Sequence, residues 1–350
     1  MRLMAIGKVT SDMILARTLY HNDGRILLNK GYGNLNKFKN KLEEYGIHYI
    51  YIEDEKSHGI ELNEAISEQT RLSSKKIIAE ATRNIAVNKS INIESVRNAV
   101  SNIIEDILAN KNVLLNLTDI KSNDDYTFAH SVNVTVISIL IGKFLNFSYN
   151  ELLNLGTGSL MHDIGKAVLP DEILNKPGKL TDEEYKIIQE HPQLGFDMVK
   201  DSIDINPLSR VAILTHHEKC DGTGYPGKLK GKNIHKHGRI VAVADVFDAL
   251  TSDRVYRKKW PVYQAVEYLE SLAGIHFDYD IVNLFVDSVS PFPNGSTVRL
   301  STGEKAIVKQ QNHGFSTRPV VRVIQDGKGN NIIKEINLEH EPSIVILEIE

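Results

Sequence analysis

His162-Asp163-Ile164-Gly165-Lys166 sets an imidazole and a carboxylate side by side in apolar, helix-like surroundings. Working outward, His130, His191, His216 and His217 share that context, and a second carboxylate, Asp245, lies inside the apolar run Ile240–Leu250. An ionised carboxylate in such a run is costly to bury unless it is paired or bound to a metal. The chain has 13 histidines, and one helical histidine alone is more often a core or surface residue than a ligand. Five of them with two carboxylates in one zone point to a metal centre instead. Imidazole and carboxylate donors without cysteine favour Fe, Mn, Ni, Zn or Mg over soft-ligand metals.

Neighbouring residues on a helix project about 100° apart, so His162-Asp163 and His216-His217 do not easily chelate one ion from one face. Adjacent ligands suit two ions roughly 3.5–4 Å apart with an aspartate between them, as in phosphoester hydrolysis. One ion polarises the phosphoryl oxygens, and a bridging water is acidified to a nucleophilic hydroxide.

The helical pattern extends from Asp119 to about Ser290, with loops at Lys176-Pro177-Gly178 and Cys220–Gly238. Ahead of it, residues 1–60 read as a small α+β module. Met13–Thr18 and Arg25–Leu28 flank a turn at His21-Asn22-Asp23-Gly24, Leu35, Phe38 and Leu42 recur at helical spacing, and Tyr49–Ile52 resumes a strand. Residues 61–118 read as connecting or dimerising helices, because Ile77, Ile78, Ala81 and Ile85, then Val96, Val100, Ile103, Ile104 and Ile107, fall at i, i+3, i+4 and i+7. That periodicity motivates a homodimer. After Pro291-Phe292-Pro293-Asn294-Gly295 the pattern alternates through Val298, Leu300, Ala306, Val308, Val320, Val321, Val323, Ile332 and Ile333. Asp326-Gly327 marks a hairpin, and Pro319 is expected on an edge strand. The expected architecture is multidomain: an all-α catalytic domain at 119–290, flanked by the α+β module and by a small antiparallel β domain at 291–350.

Lys plus Arg number 41 against 45 Asp plus Glu, a formal net charge of -4. This balance argues against a binder of polymeric nucleic acid while leaving room for a local phosphate pocket. Cys220 is the one cysteine, so no intrachain disulfide forms and Cys-rich zinc modules are excluded. The start of the chain, MRLMAIGKVTSDM, carries no apolar core of a secretory signal. Val132–Gly142 ends at Lys143, short of the roughly 18 apolar residues of a membrane span. A buried helix and a cytoplasmic address without membrane contact are the expectations.

The run His162-Asp163-Ile164-Gly165-Lys166, His191-Pro192, His216-His217-Glu218, Asp221-Gly222-Thr223-Gly224-Tyr225-Pro226 and Ala244-Asp245-Val246-Phe247-Asp248-Ala249-Leu250-Thr251-Ser252-Asp253-Arg254, followed by Tyr256-Arg257-Lys258, closely resembles the HD-GYP subgroup of the HD phosphohydrolase superfamily. The resemblance spans about residues 119–290. It implies an all-helical domain that hydrolyses cyclic di-GMP to pGpG, in some members on to GMP. It also implies two divalent metal ions, usually iron or manganese, held by His130, His162, Asp163, His191, His216, His217 and Asp245, with Asp163 bridging. Lys166, at i+4 from His162, is expected to pair with the scissile phosphate. In the loop, Gly222 and Gly224 permit backbone conformations closed to other residues, and Pro226 stiffens the chain beyond it. Tyr225 offers a face to a base and a hydroxyl to a phosphate. Asp248, Arg254, Arg257 and Lys258 complete the expected substrate contacts.

Two departures from the family pattern stand out. Members with a third metal carry Glu where this chain has Tyr126, with Asp124 and Asp125 out of register, so two ions are expected. Ile234-His235 replaces the usual Ile-Pro, and His235 and His237 are expected to be exposed loop residues. Two other functions fit the same residues: a cyclic di-GMP receptor without turnover, and a phosphohydrolase acting on another nucleotide such as a different cyclic dinucleotide.

Overall fold

A computed structural model of the chain describes residues 1–21, 25–62, 64–87, 90–110, 126–252, 260–312 and 314–349. Two units emerge, one from Met1–Glu64 and Asp287–Glu350, the other from Ala65–Lys111 and Tyr126–Val286.

The first unit begins with β1 (Arg2–Ala5), β2 (Ile14–Leu15), the paired strands β3 (Leu19–Tyr20) and β4 (Ile26–Leu28), α1 (Lys39–Glu44) and β5 (Tyr49–Glu53). β5 is central in a three-stranded antiparallel sheet, β1-β5-β2, because Ile50 and Ile52 are both apolar and buried with Leu15 and Leu35. The strand expected at Met13–Thr18 is shorter, and its hairpin partner role falls to β3. Asn22, Asp23 and Gly24 of the expected turn lie outside the described residues.

The helical unit comprises α2 (Glu68–Ala86), α3 (Ile93–Ala109), α4 (Tyr126–Phe144), α5 (Tyr149–Leu160), α6 (Asp171–Leu174), α7 (Asp182–Ile188), α8 (His191–Val199), α9 (Pro207–Thr215), α10 (Lys236–Thr251), α11 (Val262–Ser271) and α12 (Tyr279–Ser288). Helix starts follow side-chain chemistry: Ser148 with Glu151 and Thr181 with Glu184 form reciprocal capping boxes for α5 and α7. α4 is apolar on every side, and a helix of that kind is enclosed by others. Val132, Ile137, Ile139 and Leu140 are buried, and α2, α5 and α10 pack around the helix. Among the described residues no helix is long and apolar enough to cross a membrane. Val96, Val100, Ile103, Ile104 and Ile107, the stripe that motivated a homodimer, are buried within this chain, where α3 packs on α5.

The remaining strands, β6 (Thr297–Leu300), β7 (Lys305–Gln310), β8 (Val320–Gln325), β9 (Asn331–Asn337) and β10 (Ile346–Ile349), make a five-stranded antiparallel sheet in the order β10-β6-β7-β8-β9. Asp326 closes the β8–β9 turn by accepting the N–H groups of Lys328 and Asn330. Pro319 corrects the edge-strand expectation: it immediately precedes β8, an interior strand, so its missing N–H falls outside the ladder. Although distant in sequence, the two ends of the first unit are joined. Leu3 N–H donates to Gly295 O at 3.0 Å, Arg322 Nη1 donates to His58 O at 2.6 Å, and Ile60 packs with Ile307 and Ile324.

The burial of α3 sets a stability expectation. Ile104→Ala removes a fully buried side chain and costs about 2–5 kcal/mol, read as a lower denaturation midpoint at unchanged oligomeric mass. A wild-type midpoint with a change from dimer to monomer would mean that the stripe pairs chains instead.

Candidate metal centre

α5 ends at Leu160, and its last turn delivers His162 and Asp163 into the interior. This corrects the helical geometry read from sequence. His162 and Asp163 lie on a tight turn, Asp163 begins the 3-10 turn Ile164–Val168, and Lys166 reaches the cluster at i,i+3 from Asp163 rather than through helical i+4 spacing from His162. Gly165 permits the close approach of α8, since a Cβ there would overlap the carbonyl oxygen of His191. His191 is thus brought beside Asp163 from the first turn of α8. His216 caps the C-terminal end of α9, His217 follows it, His130 comes from α4 and Asp245 from α10.

All seven expected ligand residues converge, in two adjoining groups: Asp163 with His191, His216 and His217, and His130 with His162 and Asp245. Asp163 faces both. Its Oδ1 lies 3.3 Å from His191 Nε2 and 3.9 Å from His216 Nε2, while its Oδ2 lies 3.3 Å from His162 Nε2 and 3.8 Å from His130 Nε2. His130 Nε2 is also 3.0 Å from Asp245 Oδ1, and His217 Nδ1 is 3.8 Å from Asp245 Oδ2.

Three of the imidazoles are aimed by backbone. His162, His191 and His216 donate from Nδ1 to the carbonyl oxygens of Ser159, Ile188 and Ile213 at 2.8, 2.7 and 2.8 Å. A carbonyl only accepts, so each Nδ1 carries the hydrogen and each Nε2 points at the cluster, the ring arrangement typical of metal-ligating histidine. His130 is held instead by Asp248, whose Oδ2 accepts from its Nδ1 at 2.8 Å. Two buried atoms, His162 Nε2 and Asp163 Oδ1, have no hydrogen-bond partner. An orphan imidazole nitrogen and an orphan carboxylate oxygen on hard N/O donors fit a divalent cation.

The electrostatics agree. Burial opposes the charge on Asp163 and Asp245, but their histidine neighbours, with Lys166 beside Asp163, outweigh it and hold both carboxyls well below the usual range. Burial pushes His217 down to about 3 and His216 well below its ordinary value, leaving both neutral with lone pairs available. His130 goes the other way: burial would lower it, yet the hydrogen bonds to Asp245 and Asp248 raise it to about 9.

The loop after His217 is pinned by a residue whose role the sequence reading missed. Glu218, buried behind the cluster, accepts the N–H groups of Gly227 at 2.6 Å and Leu229 at 2.9 Å. Gly222 takes a positive φ of 83°, and a Cβ on Gly224 would overlap the backbone of Lys219. Tyr225 stacks on His217 with ring centroids 4.7 Å apart and planes at 28°. Pro226 follows it, exposed.

Other expected residues fall elsewhere. Asp248 lies in the interior on α10. It is 2% exposed, and its oxygens accept from His130 Nδ1 and from Asn133 Nδ2, so it holds His130. His237 is no loop residue but lies buried in the first turn of α10, which His235 caps. Arg254, Arg257 and Lys258 lie outside the described residues, as do Asp124, Asp125 and the side chain of Tyr126.

A helical unit that gathers these donors around an HD pair defines an HD-type domain. The chain belongs to the HD domain family, which it matches over residues 102–281, and residues 297–350 match a KOW domain associated with the HD domain. Members of this superfamily use divalent metal ions, as the His/Asp cluster accommodates. Over 249 residues the chain is 37% identical to the cyclic di-GMP phosphodiesterase PA4108 of Pseudomonas aeruginosa, covering 71% of this chain and 60% of that protein. It is 35% identical over 184 residues to the 3'3'-cGAMP-specific phosphodiesterase 2 of Vibrio cholerae, covering 52% of this chain and 35% of that protein. The chain therefore spans 60% of the length of the first of these relatives and 35% of the second. Among solved structures, Bd1817, an HDG"Y"P protein from Bdellovibrio bacteriovorus, aligns with a TM-score of 0.54 at 20% identity over 81% of this chain and 98% of that one, a likeness of fold.

The raised His130 predicts a proton count. A group held at about 9 is protonated at pH 8 in the metal-free protein and must lose its Nε2 proton to bind metal. Apparent affinity therefore strengthens as pH rises toward 9 and levels off above it. Calorimetry at pH 8 in buffers of different ionisation enthalpy is expected to give release of about one proton; none released would contradict the pairing of His130 with two carboxylates.

Proposed function

We propose that this chain is a metal-dependent phosphodiesterase that opens cyclic di-GMP to pGpG, with the extent of any second cut to GMP decided by product analysis. The observation that carries the reading is the Asp163 carboxylate, which turns one oxygen to each of two donor groups. His130, His162 and Asp245 would hold one divalent ion and His191, His216 and His217 the other, with Asp163 between them. Iron or manganese suits these N/O donors. When bound, such a pair supplies Lewis-acid polarisation of the phosphoryl oxygens and lowers the pKa of water at the site.

The chain's own groups do the rest. Lys166 Nζ, 2.6 Å from Asp163 Oδ2 and partly exposed, would pair with the scissile phosphate once a ligand draws it outward. The stack of Tyr225 on His217 sets an aromatic face at the rim, where a guanine base can lie. The peptide N–H groups pinned by Glu218 keep that rim in place. Arg254, Arg257 and Lys258 are retained as phosphate contacts on sequence grounds. A cytoplasmic setting and a homodimer belong to the same proposal. The likeness to a 3'3'-cGAMP-specific enzyme favours a second reading, hydrolysis of another cyclic dinucleotide on the same centre.

Anaerobic protein with Fe²⁺ or Mn²⁺ and cyclic di-GMP, followed by chromatography, tests the reading. Accumulation of pGpG or GMP supports it. No product from cyclic di-GMP beside turnover of 3'3'-cGAMP transfers the proposal to the second substrate, and metal uptake with binding but no turnover of either makes the chain a receptor. Lys166→Ala is expected to keep its metal and to slow turnover about 10²-fold, in the range for loss of a positioned charge at a transferring phosphoryl group. A wild-type rate for that variant would remove Lys166 from the chemistry.

A further inference from the structure

We propose that Arg71 is a positioning residue for the metal centre, fixing the direction of His130 through Asn133 and Asp248. The inference rests on the reading of His130 as a metal ligand. Arg71 lies in the opening turns of α2 and donates from Nη1 to Asn133 Oδ1 at 2.8 Å. A guanidinium has donors only, so this bond decides which end of the amide faces α2. Asn133 Nδ2 is then turned to Asp248 and donates to its Oδ1 at 2.8 Å. The second oxygen of Asp248 accepts from His130 Nδ1 at 2.8 Å, and His130 Nε2 emerges on the opposite side, 3.0 Å from Asp245 Oδ1.

Each bond in this series fixes the donor and acceptor of the next. His130, Asn133 and Asp248 are 3%, 4% and 2% exposed, so bulk water does not stand in for a lost link. Without the guanidinium the Asn133 amide is held at one end only, by Asp248, and its buried oxygen loses its donor. The amide then shifts toward another donor, and the carboxylate that aims His130 shifts with it. His130 differs in this from His162, His191 and His216, whose Nδ1 anchors are local carbonyls on their own turns. α2 also packs on α4 and on the Ile164–Val168 turn that carries Lys166. In the chain it follows directly on residues Met1–Glu64 of the other unit. α2 thus bears on the centre at two places, the supports of His130 and the turn that follows Asp163.

A tie that merely fastens α2 to α4 would use the same first bond, so stability alone does not decide the matter. The test titrates the metal-free full chain with Mn²⁺. It also follows the His130 Nδ1 proton by NMR in the absence of metal. In Arg71→Met one of the bound ions is expected to weaken about tenfold or more, the range for losing an outer partner of a ligating histidine, and the His130 resonance to move. Arg71→Lys keeps a donor-only cation facing Asn133 and is expected to stay within about threefold of wild type, a rescue that marks positioning. Arg83→Met, exposed on the same helix, leaves both readouts unchanged. Wild-type Mn²⁺ affinity and an unmoved resonance in Arg71→Met, whatever its melting temperature, would overturn the inference. Failure of the wild-type chain to take up Mn²⁺ would overturn the metal-centre reading beneath it.

Discussion

The carboxylate of Asp163 turns one oxygen toward His191 and His216 and the other toward His162 and His130, in an interior where it is 7% exposed. A carboxylate so placed, with one oxygen lacking any hydrogen-bond partner, is tolerable only beside positive charge. In the metal-free chain Lys166 supplies it, with Nζ 2.6 Å from Oδ2. The helical unit is organised by that requirement. α5 stops at Leu160 so that the His-Asp pair can turn inward, and Gly165 leaves room for α8 to bring His191 against it.

Orientation comes from a surrounding layer of hydrogen bonds rather than from the donors themselves. Backbone carbonyls three residues earlier in the chain set His162, His191 and His216, a local device that needs only the turn on which each sits. His130 departs from it, since its partner Asp248 is a side chain on another helix and is itself held by Asn133. The loop of Tyr225 depends on a single buried carboxylate, Glu218, accepting two peptide N–H groups. Charge-assisted bonds of this kind are short and directional, so the rim beside His217 is fixed before any ligand arrives.

Much of this was legible in the sequence, and the rest was not for identifiable reasons. His130, His162, Asp163, His191, His216, His217 and Asp245 were readable because ionisable residues in apolar helical surroundings are expensive without partners. The alternation of Val298, Leu300, Ala306, Val308, Val321 and Val323 foretold the C-terminal sheet, although β10 went unread because Ile344–Leu347 is a continuous apolar run without alternation. The bond of Asp248 to His130 was not legible, because spacing on α10 tells which face a residue occupies, not which histidine from α4 meets it there. Lys166 does lie beside the cluster, but the i+4 spacing used to place it extended helical geometry past Leu160, where the chain tightens into a 3-10 turn. The stripe on α3 announced a buried face truthfully, but periodicity does not say whether the cover is α5 or a second chain.

Electron paramagnetic resonance of the Mn²⁺-loaded full chain tests the central claim most directly, because exchange coupling reports a shared bridging ligand. The account predicts about two ions per chain with the signature of a coupled pair, lost in Asp163→Ala. Two ions that give only isolated, uncoupled signals, or one ion per chain at saturation, would contradict a carboxylate shared between the two donor groups.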